Sequence, residues 1–140
     1  MIAVDTNVIS ELMKVQPDPT VLEWAGTVED AELTVPVVVA AEVLRGLDRL
    51  PSGPRRVRLE TALDAFFARL GDGRLLSLDA RGAVEYAHVM TGRERAGRPM
   101  STMDALIAAT CRAHGASLAT RNTKDFIASG VHLIDPWTLA

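Results

Sequence analysis

Ile2-Ala3-Val4-Asp5-Thr6-Asn7-Val8-Ile9-Ser10-Glu11 is the stretch on which the reading of the fold turns. Ile2-Ala3-Val4 is an apolar run too short for a helix, and its end at an acid fits a short buried strand. From Thr6 to Lys14 the residues Val8, Ile9, Leu12 and Met13 recur at helical spacing, which predicts a helix directly after that strand.

Outward from this unit the alternation repeats. Pro17 and Pro19 break the first helix, and Thr20 to Val28 predicts a second. Leu33-Thr34-Val35 reads as a strand, and Pro36 sits where a helix to about Leu47 begins. Pro54 opens another helix through Leu70, ended by Gly71 and Gly73. Leu75-Leu76-Ser77-Leu78 is a third strand, and Asp79 caps a helix to about Ala96. Ser101 caps the next helix, which ends at Gly115. Ser117-Leu118-Ala119 is a fourth strand and His132-Leu133-Ile134 a weak fifth. Strands alternating with helices imply right-handed crossovers. The expected class is α/β, a central parallel sheet of about five short strands with helices on both faces.

Composition bounds the function classes. With 140 residues, 48% of them hydrophobic and 24% charged, the chain fits one domain, residues 1–140, that needs no disulfide to hold a core. The single cysteine, Cys111, supplies neither an internal disulfide nor a multi-cysteine zinc site, and a reducing, cytoplasmic setting is expected. The N-terminus shows no signal-peptide pattern, and no stretch approaches the 18 or so apolar residues of a membrane span. The net charge of −3 does not argue for nucleic acid, but distribution matters more than the sum. Of the 15 basic residues 13 are Arg, with clusters at Arg55-Arg56-Val57-Arg58 and at Arg93, Arg95 and Arg98.

Four acids fall where a parallel sheet binds ligands, beyond the carboxyl ends of its strands. Asp5 follows strand one, and Glu42 lies in the helix after strand two. Asp104 opens the helix before strand four, and Asp125 lies just past that strand. Each has a plainer reading. Asp5 serves equally as a helix cap. Ser101-Thr102-Met103-Asp104 has capping-box spacing, and Asp125 alone reads as an exposed acid in a turn or near a helix start. Glu42 sits in Val37-Val38-Val39-Ala40-Ala41-Glu42-Val43-Leu44, where a carboxylate needs a partner; Arg45, at i+3, is the structural alternative.

Together the four readings favour a metal site. Two carboxylates about 4 Å apart repel by roughly 4 kcal/mol at an effective dielectric of 20, so such a cluster calls for cations. Oxygen-only ligands suit Mg²⁺ or Mn²⁺, whereas zinc recruits His or Cys, and His88, His114 and His132 lack ligand spacing. A hard-metal site of this kind suits phosphoryl transfer by a metal-activated water.

The ordered segments resemble a known family. Residues 2–11, Val39-Ala40-Ala41-Glu42-Val43-Leu44-Arg45-Gly46, Met103-Asp104-Ala105-Leu106-Ile107-Ala108-Ala109-Thr110 and Leu118-Ala119-Thr120-Arg121-Asn122-Thr123-Lys124-Asp125-Phe126 resemble the acidic segments of PIN-domain proteins, and Leu133-Ile134-Asp135-Pro136-Trp137 their ending. The match is closest to VapC toxins of type II toxin–antitoxin pairs, in the FitB-like branch. That resemblance implies a PIN-like three-layer fold and a Mg²⁺- or Mn²⁺-dependent endoribonuclease, usually a homodimer. It also implies neutralisation by a small antitoxin carrying a DNA-binding domain, through which the complex represses its operator. The family's catalytic and metal-binding acids fall on Asp5, Glu42, Asp104 and Asp125.

Thr6, Asn7, Thr120 and Asn122 match polar positions around that site, with helix caps or Asx turns as the equal alternative. Arg93, Arg95 and Arg98 are candidates for RNA phosphates, a solvated helix end being the other reading. Aromatic residues make up 4% of the chain, too few for a flat base-stacking platform. Leu12, Met13, Val21, Leu22 and Trp24 are candidates for a face toward an antitoxin or second subunit, with core packing as the default. Two rivals stand beside the nuclease. A phosphatase using an Asp nucleophile requires a second Asp where Asn7 stands. A catalytically weak PIN-fold binding module would act mainly through its antitoxin complex.

Overall fold

The computed structural model describes residues 1–138. Its strands are β1 (Ile2–Val4), β2 (Leu33–Pro36), β3 (Leu75–Leu76), β4 (Ser117–Ala119) and β5 (Leu133–Ile134). Between them run helices α1 (Thr6–Leu12), α2 (Pro19–Thr27), α3 (Val37–Asp48), α4 (Pro54–Leu70), α5 (Ala80–Arg95), α6 (Thr102–His114) and the short α7 (Thr123–Phe126). The sheet order is β3-β2-β1-β4-β5 and every pairing is parallel. The α/β expectation therefore holds, down to the strand count among the described residues.

Successive strand residues point to opposite faces, so neighbours that are both buried show that both faces are covered. Ala3 and Val4 in β1, and Leu118 and Ala119 in β4, meet that condition. One core cluster runs through β1, α1, α3, α6 and β4 to Phe126. Val21 and Trp24 belong to the buried interior, Leu12 and Met13 pack against it, and Leu22 faces solvent. For Val21 and Trp24 core packing is thus the reading the structure supports.

The chain runs from β1 outward to β2 and β3, then returns to lay β4 on the other side of β1. The strand order reverses between β1 and β4, which makes their carboxyl ends the switch-point crevice. Register brings those ends level. Val4 pairs with Ala119, and the Asp5 N–H donates to the Ala119 carbonyl at 3.0 Å.

The differences from expectation are local. β3 spans two residues rather than the four of Leu75 to Leu78, and a short 3-10 turn, Asp72–Arg74, precedes it. The four-residue α7 was not expected, because one turn carries too little periodicity to read.

Candidate metal centre

Asp5 caps α1 and faces the crevice at once. Its Oδ1 accepts from the Thr6 N–H at 2.7 Å, while Oδ2 accepts from the Thr120 hydroxyl at 2.8 Å. Capping and a site role, posed as alternatives from sequence, use different oxygens of one carboxylate. The carboxylate is 6% exposed, and burial holds its pKa above the usual carboxylate range despite those two bonds.

Glu42 lies one and a half turns into α3 and is half-buried. Its Oε1 accepts from the Thr6 hydroxyl at 3.1 Å. The ion pair with Arg45 does not form; Arg45 is exposed. Burial raises the Glu42 pKa, and the charges of Asp5 and Asp104 push it the same way. Asp104 stands in the first turn of α6, whose N-cap Ser101 accepts from the Asp104 N–H at 3.1 Å. Burial raises its pKa too, with Asp5 and Asp125 adding to the effect and Arg93 opposing it. Asp125, in α7, is half-buried, and its charge is felt at both Asp5 and Asp104. Residues scattered over 120 positions of sequence thus share one electrostatic neighbourhood.

The four polar residues named from sequence lie within it. Thr6 bridges Asp5 and Glu42. Thr120 donates to Asp5 and accepts from the Asn122 N–H at 3.1 Å, which fixes the direction of its hydroxyl. Asn7 accepts from the Arg121 N–H at 3.3 Å, tying the start of α1 to the loop after β4. Asp5, Glu42 and Asp104 line an open groove of about 490 Å³ together with Thr6, Asn7, Asn122, Lys14, Arg121 and Trp137.

One sequence expectation needs correction. Arg93 is 5% exposed and donates to the backbone carbonyls of Arg98 and Ile127, so it holds the fold rather than a phosphate. Arg95 and Arg98 remain exposed. Sequence reasoning also passed over the groove residues Arg121 and Trp137. The guanidinium carbon of Arg121 lies 5.0 Å from the Trp137 ring centre, a contact between residues with no local pattern to announce it.

The donor set is all oxygen. Among the described residues none of the four acids is neutralised by an ion pair, yet each of Asp5, Glu42 and Asp104 is pushed upward by its acidic neighbours. That imbalance is what a cation relieves. Among the described residues no three Asp, Glu, His or Cys side chains already stand close enough to hold an ion among them. Mg²⁺ takes one or two carboxylates directly while keeping several waters, so it does not require three side chains already in contact. Cys111 takes no part. It is fully buried, and burial pushes its thiol up to about 12.

A parallel α/β sheet with oxygen donors gathered at its switch point is a frame suited to holding a hard cation. The PIN domain family matches residues 2–128, and the chain belongs to that family. It is 38% identical over 137 residues to a VapC ribonuclease of Sinorhizobium fredii, covering 98% of each chain. It is 32% identical to the toxin FitB of Neisseria gonorrhoeae, covering 98% of this chain and 99% of FitB. The crystal structure of FitAcB from that organism superposes with a TM-score of 0.92 at 32% identity, covering 99% of this chain and all of that one.

Proposed function

We propose that the chain, acting as one domain over residues 1–140, is a divalent-metal-dependent endoribonuclease and the toxin of a toxin–antitoxin pair. The observation that carries this reading is the gathering of Asp5, Glu42 and Asp104 along one groove, with the charge of Asp125 acting on Asp5 and Asp104. Relatives named as a VapC ribonuclease and the FitB toxin support RNA as substrate and a toxin's role.

In this reading the four acids hold Mg²⁺ or Mn²⁺. When bound, the ion lowers the pKa of a water and offsets charge on the phosphate. The chain supplies the geometry. Thr6 and Thr120 hold the Asp5 carboxylate from two sides, and Thr6 also fixes Glu42, so the first two acids are set by one residue. Glu42 or Asp104 then orients the attacking water and accepts its proton, a role suited to carboxyls whose pKa burial has raised.

The proposed partners are a small antitoxin with a DNA-binding domain, operator DNA through that complex, and a second copy of the chain. Support for the antitoxin comes from the relatives and from an apolar cleft of about 220 Å³ beside the acids. Ile9, Met13, Val43, Leu47, Leu59 and Leu63 line it, and it shares Thr6 and Glu42 with the acid groove. A reading frame for such a protein beside this gene is expected. No helix among the described residues is long and apolar enough to cross a membrane, and the proposed setting is the cytoplasm.

The test is cleavage of single-stranded and structured RNA by partner-free chain in Mg²⁺, Mn²⁺ or EDTA, with Asp104→Asn as control. Metal-dependent cutting that the variant lacks is the expected result. Equal cutting by both removes the nuclease assignment. Inert protein that still captures a small co-purifying partner supports the binding-module alternative, and release of phosphate from small esters, lost in Asp5→Asn, supports a phosphatase.

A further inference from the structure

We propose that Arg121, laid over the Trp137 ring, is a substrate-binding residue that grips an RNA phosphate at the wall of the acid groove. The inference rests on the nuclease reading above. A groove rich in carboxylates repels a polyanion, so a strand entering it needs a positive charge that the acids have not consumed.

The cations around the groove are spent unevenly. Lys14 is held by Glu11 at 3.0 Å. Arg93 is buried, bonded to carbonyls, and is the cation that acts on Asp104. Arg121 is exposed, lines the groove with Asp5, Glu42 and Asp104, and makes no ion pair with a side chain of the described residues.

Its placement is built rather than incidental. The Arg121 N–H is anchored on Asn7, Thr120 before it donates to Asp5, and the N–H of Asn122 behind it donates to the Thr120 hydroxyl. The guanidinium lies 5.0 Å from the Trp137 ring centre, which restrains a long side chain before any ligand arrives. A planar guanidinium presents two parallel N–H groups to phosphate oxygens, a fit that an ammonium lacks. With Trp24 in the buried interior, Trp137 is the tryptophan at the groove. One ring supports one guanidinium or one base, which favours a grip on the backbone over reading of sequence.

The test uses the full chain carrying Asp104→Asn, with binding of a short single-stranded RNA followed by fluorescence anisotropy in Mg²⁺ across a salt series. Adding Arg121→Ala is expected to weaken binding about tenfold and to make the log–log salt slope shallower by about 0.7, the loss of one phosphate contact. Arg121→Lys keeps the slope but not the full affinity. In the otherwise unaltered enzyme, Arg121→Ala raises KM about tenfold with little change in kcat, and Mn²⁺ affinity is unchanged. Arg121→Gln, which keeps part of the stem and a polar end without the charge, replaces the alanine variant if that one folds poorly. Unchanged affinity, slope and KM overturn the inference while leaving the nuclease intact, and loss of Mn²⁺ binding overturns it by placing Arg121 in the metal site. Wild-type chain that cuts no RNA overturns the nuclease reading first, and this one with it.

Discussion

At the scale of single residues, the Asp5–Thr120 pair decides how the site is held. The Thr120 hydroxyl is buried and donates to a carboxylate that is itself buried. Thr120→Val keeps the shape and removes the donor, so an acceptor is left without its partner. The expected cost is about 1–3 kcal/mol in denaturant unfolding in EDTA. Mn²⁺ affinity, read by titration calorimetry, falls about 10- to 100-fold, as when a group supporting a metal ligand is lost. Unchanged affinity would detach Thr120 from the site.

The acids were legible one by one: Asp5, Asp104 and Asp125 sit near a strand end or helix start that the apolar pattern marks, and Glu42 interrupts an apolar run within α3. Their oxygen-by-oxygen roles were not. Whether Asp5 caps or faces the crevice depends on Thr120, 115 positions away, and sequence periodicity carries nothing at that range.

At the scale of elements, α6 links two parts of the site: Asp104 opens it and β4, which leads to Thr120, follows it. Ser101 caps its start, and Gly115 at φ 70°, ψ 30° closes its end in the left-handed region. Both signals were readable, since each is a local preference of one residue type. Gly115→Ala has room for a methyl but places it on a strained backbone. A loss of about 1–2 kcal/mol is expected, with the thermal midpoint lower by a few degrees and Mn²⁺ affinity little changed. A midpoint equal to wild type would contradict the role given to that cap.

The end of α5 was harder to read. Arg93 looks like a solvent-facing helix end, but its burial depends on the Ile127 carbonyl, 34 residues on. The single turn α7 escaped for the opposite reason, being too short to show a period.

At the scale of the whole molecule, uncompensated carboxylates couple stability to pH and to metal. Asp5, Glu42 and Asp104 all hold their protons to higher pH in the folded chain than in the unfolded one. Over that window the folded state binds more protons, so stability falls as pH rises from the ordinary carboxylate range through the raised folded values. In EDTA the midpoint should drop as pH rises above the ordinary carboxylate range. Asp104→Asn should flatten that drop and raise the midpoint at pH 7, by no more than about 1 kcal/mol because the side chain is half-exposed. Saturating Mg²⁺ acts in the other direction. At about 100 times its dissociation constant it should stabilise the wild type by roughly 2.7 kcal/mol, and Asp104→Asn by much less. A metal-independent midpoint would speak against a site in this groove. The fold class was legible in full because it depends only on alternating apolar runs, whereas the pairing of Arg121 with Trp137 required the chain to be folded first.

The most direct test of the metal centre is the anomalous difference map of a crystal grown with Mn²⁺. A peak is expected in the groove, about 2.1 Å from carboxylate oxygens of Asp5 and at least one of Glu42, Asp104 and Asp125, and absent in Asp5→Asn. An empty groove at saturating Mn²⁺, or a peak confined to other residues, would contradict the account.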